Sequence, residues 1–271
     1  GDVLAQYSLG WMYENGRGVV QDDRKAVEWF QKAAEKGNVL AQNSLGFMYR
    51  EGRDVAQNDK KAVEWYEKAA EQGDIDAQNS LGFMYRNGRG VSQDDKKAVE
   101  WYQKAAEQGH VLAQYSLGFM YREGRGVVQD DVKAVEWYQK AADQGHASAQ
   151  NSLGWMYENG RGVAQDDVKA VEWYEKAAEQ GNIDAQNNLG FMYYRDGRCR
   201  GVALVDRKAV EWFQKAAEQG HASAQYSLGW MYYNGYGVVL DNRRALEWFQ
   251  KAAEQGQVDA QKILDKLKNL N

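Results

Sequence analysis

Cysteine and histidine are the residues in this chain with the greatest potential for nucleophilic or metal chemistry. The single cysteine, Cys199, lies between Arg198 and Arg200, and cationic neighbours can lower the pKa of a thiol. An enzyme would also need a base and an orienting group beside its nucleophile, and no histidine lies near Cys199 in the sequence. One cysteine excludes an intrachain disulfide and a multi-thiolate metal site. We therefore interpret Cys199 as part of a tolerated loop insertion and predict no catalytic residue.

The three histidines, His110, His146 and His221, each follow a glycine at the second position of a unit that recurs along the chain. Other units carry aspartate or asparagine at this position, and these residue types cap helix N-termini. The histidines are also too far apart for the local spacing of metal ligands. They are therefore interpreted as variants of a helix cap, and neither a metal nor another cofactor is predicted.

Four glycine-arginine-glycine loops raise the question of phosphate binding, because a glycine loop before a helix can bind anions. The loops are residues 16–18, 88–90, 124–126 and 160–162. After the first of these loops, however, Asp22 and Asp23 occupy the start of the next helix and place negative charge where a phosphate would bind. We expect the loop arginines to pair with such aspartates or to be solvated.

The composition limits the classes of partner. The 271 residues include 34 basic and 39 acidic side chains, for a net charge of -5, so no broad basic surface is available for nucleic acid or an anionic membrane. No stretch reaches the roughly 20 apolar residues that a bilayer span needs, and the first residues do not resemble a signal peptide. The chain has no proline, which fits a nearly all-helical protein. We predict a protein or peptide as partner, with no nucleic acid and no membrane insertion.

An internal repeat organises the whole chain. The dipeptide Ala-Gln recurs every 36 residues until a three-residue insertion delays it, and it begins at residues 5, 41, 77, 113, 149, 185, 224 and 260. We predict seven repeats over residues 1–36, 37–72, 73–108, 109–144, 145–180, 181–219 and 220–255. Residues 256–271 are predicted to form a C-terminal cap helix, because Asp265, Lys266 and Lys268 replace a glycine and two aromatic residues of the other repeats. Since the sequence begins on the first residue of a repeat without methionine, we expect an N-terminal truncation, and the localisation stays open.

Each repeat is predicted to form two helices. In the first repeat, Asp2 can cap helix A, which runs to about Glu14, and Asp22 or Asp23 can cap helix B, which stops at Gly37. Glutamate followed four residues later by lysine marks the solvent face of helix B.

The helical period also predicts which residues form the core. The predicted core residues of the first repeat are Ala5, Leu9, Met12 and Tyr13 of helix A and Ala26, Trp29, Phe30, Ala33 and Ala34 of helix B. The small Gly10 is expected to let the helix axes approach closely. A repeat this short cannot cover its own apolar faces, so it must stack on its neighbours.

The pattern AQ..LG.MY..G.GV..D..KAVEW..KAAE.G resembles the Sel-1-like repeat, a relative of the tetratricopeptide repeat. The resemblance extends over nearly the whole chain and implies an all-α, right-handed αα superhelix with helix A on the concave side. It also implies an adaptor surface of the kind used in bacteria and eukaryotes. A cysteine-rich bacterial branch of this family is associated with β-lactam binding or hydrolysis, but it carries paired cysteines in each repeat. This chain lacks them, so a hydrolase is the less favoured alternative.

A face of helix A away from the core is the predicted binding surface. Positions are numbered by the first repeat: position 7 alternates tyrosine and asparagine, position 11 is always aromatic, and position 14 changes most in charge. The candidate partner-binding residues are Tyr7, Trp11, Phe47, Arg50, Phe83, Arg86, Tyr115, Phe119, Arg122, Trp155, Phe191, Tyr226 and Trp230.

The arginines at position 14 of the second to fourth repeats would form a basic stripe on this face, suited to an acidic segment or a C-terminal carboxylate. The alternative interpretation is that the aromatic residues at position 11 simply pack between successive A helices. The sequence therefore predicts a protein-interaction scaffold or adaptor and no enzyme. An immunity or invasion-associated protein would be a special case of such binding.

Overall fold

The computed structural model describes residues 1–200 and 203–268, except for the side chains of residues 196–200, 203–204 and 268. This part of the chain forms fifteen helices and no strand, which confirms the all-helical prediction. The A helices are α1 (Val3–Asn15), α3 (Val39–Glu51), α5 (Ile75–Asn87), α7 (Val111–Glu123), α9 (Ala147–Asn159), α11 (Ile183–Arg200), α13 (Ala222–Asn234) and α15 (Val258–Lys268). The B helices are α2 (Asp23–Ala34), α4 (Asp59–Glu71), α6 (Asp95–Glu107), α8 (Asp131–Asp143), α10 (Asp167–Glu179), α12 (Ala203–Glu218) and α14 (Asn242–Glu254).

The chain divides into two compact units, Gly1–Ala141 and Ala142–Asn271. In the first unit, each helix from α1 to α7 packs on the next one in the chain, and in the second unit α9 to α15 pack in the same way. The faces where A and B helices meet form the core. The alanine, leucine and methionine positions predicted as core are fully buried in α5, where they are Ala77, Leu81 and Met84.

The glycine at position 10 allows an aromatic ring of helix B to lie against the backbone of helix A. A Cβ atom built on Gly82 would come within 2.5 Å of the ring of Tyr102, closer than two carbon atoms can approach. The same contact joins Gly46 to the ring of Tyr66, and both tyrosines are only 1% exposed. The prediction of close helix approach at position 10 is therefore confirmed, and the contact identifies the residue at position 30 as the central core aromatic.

The glutamine of the Ala-Gln motif is a buried bridge between three helices. Gln78 of α5 donates from Nε2 to the carbonyl oxygen of Ala70 near the end of α4, at 3.2 Å. Its Oε1 accepts a hydrogen bond of 2.8 Å from Nε2 of Gln108, which follows α6. A buried polar group without a partner is costly. Only a side chain that both donates and accepts can make these two bonds, which explains why glutamine recurs at position 6.

The loop arginines join neighbouring repeats. Nε and an Nη atom of Arg89 donate to the two carboxylate oxygens of Asp59 at 2.9 and 2.8 Å, and Arg125 pairs with Asp95 in the same way. Each aspartate starts helix B of the preceding repeat, whereas the sequence interpretation considered the aspartates that follow each loop. Each loop thus connects the two helices of its own repeat, and the arginines of these two loops link that repeat to the preceding one through a carboxylate.

Three repeats depart from this loop arrangement, and the sixth does so through its insertion. In the second, Asp54 replaces the last glycine of the loop and has a φ of 48°, in the left-handed region that favours glycine. In the seventh, Tyr236 replaces the arginine. Oδ1 of Asp206, the aspartate that an arginine there would reach, is buried without a hydrogen-bond partner among the described residues.

The tryptophans of helix B were predicted as core residues, and the structure corrects this placement. Trp65, Trp101 and their counterparts are half-buried at the edge of the core, because the next residue along the helix fills its centre. The lysine three residues later lies over each indole ring, with Nζ of Lys104 at 3.9 Å from the ring centroid of Trp101. The lysine of the predicted glutamate-lysine pair therefore makes a cation–π contact.

The insertion in the sixth repeat was predicted as a longer loop. Helix α11 instead continues to Arg200, so that it is longer than the other A helices. Arg195 takes the place of a loop arginine, with an Nη atom 3.1 Å from Oδ2 of Asp167. The side chain of Cys199, the only candidate nucleophile, lies outside the described residues.

A comparison of two adjacent residues tests the corrected core. We expect Tyr102→Ala to lower the free energy of unfolding by about 3–5 kcal/mol, because a buried ring is replaced by a cavity. Trp101→Ala should cost about 1–2 kcal/mol, because the indole is only partly buried at the edge of the core. Chemical denaturation of both variants measures the difference, and a larger loss for Trp101→Ala would contradict the assignment.

A reciprocal exchange tests the backbone requirement of the loop. Asp54→Gly should raise the free energy of unfolding by about 0.5–1 kcal/mol, because it relieves a left-handed conformation. Gly90→Asp should lower it by more than this, because a Cβ atom there would overlap the backbone of Asp59. Thermal and urea unfolding of the two variants check both signs, and the same sign for both would refute the explanation.

Candidate functional site

The histidines cap A helices, as the sequence predicted. Nδ1 of His110 and of His146 each accept a hydrogen bond of 3.1 Å from the backbone N–H of the residue three positions later, and His221 does the same. An accepting Nδ1 requires the neutral tautomer with its proton on Nε2. No group of three or more metal-ligating side chains occurs in the part of the chain that the structure describes.

The predicted binding residues all lie on A helices, but their exposure differs. At position 11, Trp11 and Phe47 are 37% exposed and Phe191 is 42% exposed, whereas the other aromatic residues there are half-buried. Phe83 and Phe119 pack against the core and still reach solvent. Both interpretations of position 11 therefore describe part of the observed environment, and its role in binding stays a prediction.

The tyrosines at position 7 pack on the aromatic residue at position 30 of their own repeat. The ring centroids of Tyr7 and Phe30 are 5.7 Å apart, and those of Tyr226 and Phe249 are 5.8 Å apart. These tyrosines are therefore held in place by the core, and Tyr226 and its counterpart Tyr115 line the surface cavities described next.

A groove of about 390 Å³ lies on the A-helix face of the first unit. We call it the arginine groove, and its central residues are Phe83 and Arg86 of α5, Tyr102 of α6, and Tyr115 and Ser116 of α7. Arg50, Glu51, Asn79, Ser80, Arg89 and Leu112 complete its lining. Three of the predicted residues, Phe83, Arg86 and Tyr115, thus meet with a fourth, Arg50, around one cavity.

The three arginines of the predicted stripe differ in their partners. Nε of Arg50 donates to the carboxylate of Glu51 at 2.7 Å, and Arg122 bonds to Glu123 at the same distance. The residue after Arg86 is Asn87, which offers no carboxylate, and Nε of Arg86 is buried without a hydrogen-bond partner among the described residues. The positive charge available to a ligand is therefore concentrated at Arg86.

The floor of the arginine groove includes residues that were not predicted as site residues. Burial raises the pKa of the Tyr102 hydroxyl, while the Arg86 guanidinium acts in the opposite direction. The Ser116 side chain also acts to lower this pKa. The sequence signal for this floor was the change from Phe30 in the first repeat to tyrosine in the next four, which brings a hydroxyl to the end of a core ring.

A smaller pocket of about 160 Å³ lies on the A-helix face of the second unit. We call it the aromatic pocket, and it is lined by Phe191, Tyr194, Phe213, Tyr226, Ser227, Trp230 and Met231. Three of the predicted residues, Phe191, Tyr226 and Trp230, meet here. The rings of Phe191 and Phe213 are nearly perpendicular, with centroids 5.0 Å apart.

The remaining predicted residues lie outside these two cavities, and they are Tyr7, Trp11, Phe47, Phe119, Arg122 and Trp155. The four aromatic residues among them at position 11 each contact an arginine. The guanidinium of Arg17 lies 5.1 Å from the ring centroid of Trp11, and that of Arg161 lies 5.6 Å from Trp155. Phe119 receives two such contacts, from Arg122 at 5.3 Å and from Arg86 at 5.8 Å. Stacking of arginine on the position 11 aromatic is thus a recurring feature of this face.

None of the described helices combines the length and apolar character needed to cross a membrane.

The paired helices with stacked neighbours define an all-α solenoid of the protein-interaction class. A profile of the Sel1 repeat matches residues 3–38, 39–74, 75–110, 111–146, 147–182, 183–221 and 222–257. The chain belongs to the Sel1 repeat family, which confirms the resemblance, and proteins of this family are in general not enzymes.

Solved structures show the same fold. A protective antigen of uropathogenic Escherichia coli strains, which displays an SLR fold, is 42% identical with a TM-score of 0.90, and the match covers 98% of this chain and 56% of the antigen. A Sel1 repeat protein of Oxalobacter formigenes is 38% identical with a TM-score of 0.79, over 98% of this chain and 76% of that protein. Yeast Tom70 shares the fold alone, with 16% identity and a TM-score of 0.52. No curated protein sequence matches the chain.

The histidine cap of α9 predicts a pH dependence of stability. Burial lowers the pKa of His146, so the folded state favours the neutral ring. Its contribution is complete above the unfolded-state pKa of about 6.5 and is lost as the pH falls through the lowered folded-state pKa. His146→Asn, which retains a capping side chain, should match the parent Tm at pH 7.5 and lose less of it at pH 5. Equal losses for the two proteins would exclude His146 as the titrating group.

Proposed function

We propose that the A-helix face binds an extended segment of another protein, and that the arginine groove accepts a carboxylate of that segment. The observation that carries this proposal is the state of Arg86, whose Nε is buried beside the groove with no hydrogen-bond acceptor in the part of the chain that the structure describes. A buried N–H group without a partner is unfavourable, and a ligand carboxylate would supply the acceptor. Charge-assisted hydrogen bonds of this kind are among the stronger polar contacts in proteins.

The surroundings of Arg86 support a peptide as the source of the carboxylate. Phe83 and Tyr115 provide apolar walls, and Leu112, which is 50% exposed, extends the apolar surface along α7. Asn79 and Ser80 offer amide and hydroxyl groups on the same face. A mixed lining of this kind suits an extended peptide, whose side chains can pack on the apolar walls while its backbone forms hydrogen bonds with the polar groups.

Membership of the Sel1 repeat family supports the broader part of the proposal, because repeat proteins of this type generally bind proteins. The β-lactam hydrolase alternative has no comparable support. The cysteine-rich branch relies on paired cysteines, and this chain has one cysteine.

Affinity selection from a random peptide library, followed by titration of the selected peptides, tests the groove. We expect carboxylates to be enriched, and the variant with Arg50→Ala, Arg86→Ala and Arg122→Ala to bind the selected peptides with a smaller dependence on salt. Arg86→Ala alone should weaken binding about tenfold or more, as expected for loss of a hydrogen bond to a charged group. Amidated peptides distinguish a terminal carboxylate from an acidic side chain.

A matched control changes the same charge elsewhere. Arg24, Lys60 and Lys96 are exposed near the starts of three B helices, and their combined replacement by alanine should leave affinity and its dependence on salt nearly unchanged. Both triple variants should keep the thermal stability of the parent. If the arginine variant retained the parent affinity and salt dependence, the arginine groove would not be the binding site.

A further inference from the structure

The residue that follows each arginine of the predicted stripe differs between repeats and controls the charge of the arginine groove. This residue, at position 15, is Glu51 in the second repeat, Asn87 in the third and Glu123 in the fourth. Oε1 of Glu51 accepts a hydrogen bond of 2.7 Å from Nε of Arg50. The side chain of Asn87 instead donates from Nδ2 to the backbone carbonyl oxygen four residues earlier, at 2.8 Å. Glutamate at position 15 therefore neutralises the arginine before it, whereas asparagine does not.

Glu51 itself lines the arginine groove, together with Arg50, Arg86 and Arg89. Arg89 is paired with Asp59 through two hydrogen bonds. These hydrogen bonds raise the pKa of Arg89, and the negative charge of Glu51 adds to this effect, so the charge of Glu51 acts inside the groove. Two of the three arginines thus have a carboxylate partner, and Nε of Arg86 has no hydrogen-bond acceptor among the described residues. One positive charge therefore remains for a ligand.

The remaining charge matches a ligand with a single negative charge. A carboxylate beside Arg86, which is half-buried, would leave the groove neutral. A phosphate monoester has a charge of about −1.5 to −2 at pH 7, so it would leave an unpaired negative charge in the same cavity as the carboxylate of Glu51. A partly buried charge without a partner is costly, and like charges repel at short range. The groove therefore suits a carboxylate better than a phosphate.

We propose that Glu51 makes the arginine groove selective for a carboxylate and excludes a phosphate dianion. The inference rests on the proposed function, because it concerns the ligand of the same groove. Glu51 determines specificity by holding Arg50, which reduces the positive charge that a ligand meets. The partner segment is then recognised through one glutamate, aspartate or terminal carboxylate. A phosphorylated serine at the same place in the segment weakens the complex.

Short peptides that differ at one residue test this inference on the full chain. The probes are acetyl-Ala-Leu-Ala-Glu-Ala-amide and the same peptide with phosphoserine or glutamine in place of glutamate. Their leucine can pack on the apolar wall that includes Leu112. The readout, at pH 7.5 and low salt, is the Nε–H resonance of Arg86, assigned by its loss in Arg86→Lys. We expect a saturable shift with the glutamate peptide. The phosphoserine peptide should bind about fivefold more weakly, and the glutamine peptide about tenfold more weakly or less.

Two matched variants locate the source of the selectivity. Glu51→Asn gives the second repeat the asparagine of the third and releases Arg50 into the groove. It should strengthen binding of the glutamate peptide about threefold and of the phosphoserine peptide about tenfold, because the added interaction scales with the charge of the ligand. Glu123→Asn is the control, because it removes the same 2.7 Å bond from Arg122, and neither residue lines the groove. It should leave the discrimination between the peptides at the parent value. Circular dichroism confirms that both variants are folded.

Two results would overturn the role of Glu51 while leaving the proposed function intact. One is binding of the phosphoserine peptide to the parent protein as tight as that of the glutamate peptide. The other is an equal change of discrimination in Glu51→Asn and Glu123→Asn. If the glutamine peptide bound as tightly as the glutamate peptide, or if no peptide shifted the Arg86 resonance, the carboxylate site itself would be refuted, and the selectivity with it.

Discussion

The contact between a glycine backbone in helix A and an aromatic ring in helix B is the constraint on which the rest of the structure depends. At Gly82 and Tyr102 the two helices are so close that no side chain fits between the ring and the backbone. This closeness fixes the rotation of each helix about its axis. It therefore determines which residues point into the core and which remain on the A-helix face, where positions 7, 8, 11 and 14 line the grooves.

The polar bridges depend on the same packing. Gln78 can reach both Ala70 and Gln108 because the ring contact holds three helices at a constant separation. The same packing also shapes the surface, because Tyr102 is both the central core aromatic of its repeat and part of the floor of the arginine groove. The same position therefore contributes to stability through its ring and to the chemistry of the groove through its oxygen.

The sequence predicted the repeat, the two helices and most of the core, because each depends on a local period and on caps within one repeat. It misplaced Trp101 and the loop arginines for a common reason. The burial of Trp101 depends on how the adjacent Tyr102 fills the core, and the partner of Arg89 lies in the preceding repeat. The sequence identified the A-helix face as the candidate surface. It could not reveal that Glu51 and Glu123 form ion pairs with two of the three arginines. That difference depends on side-chain geometry.

The arginine-aspartate pair also determines how the chain can change in length. Arg89 and Asp59 lie in adjacent repeats, so a middle repeat contributes an arginine to the preceding neighbour and an aspartate to the following one. If a whole 36-residue segment is lost or duplicated, each aspartate therefore still meets an arginine in the following repeat, wherever the segment begins. The junction of Asp206 with Tyr236 is different, because a tyrosine replaces the loop arginine and Oδ1 of Asp206 has no hydrogen-bond partner among the described residues. A repeat copied into that junction from the first unit would pair its arginine with Asp206 and bring its own aspartate opposite Tyr236, so the unmatched aspartate would move one repeat along the chain and would not disappear.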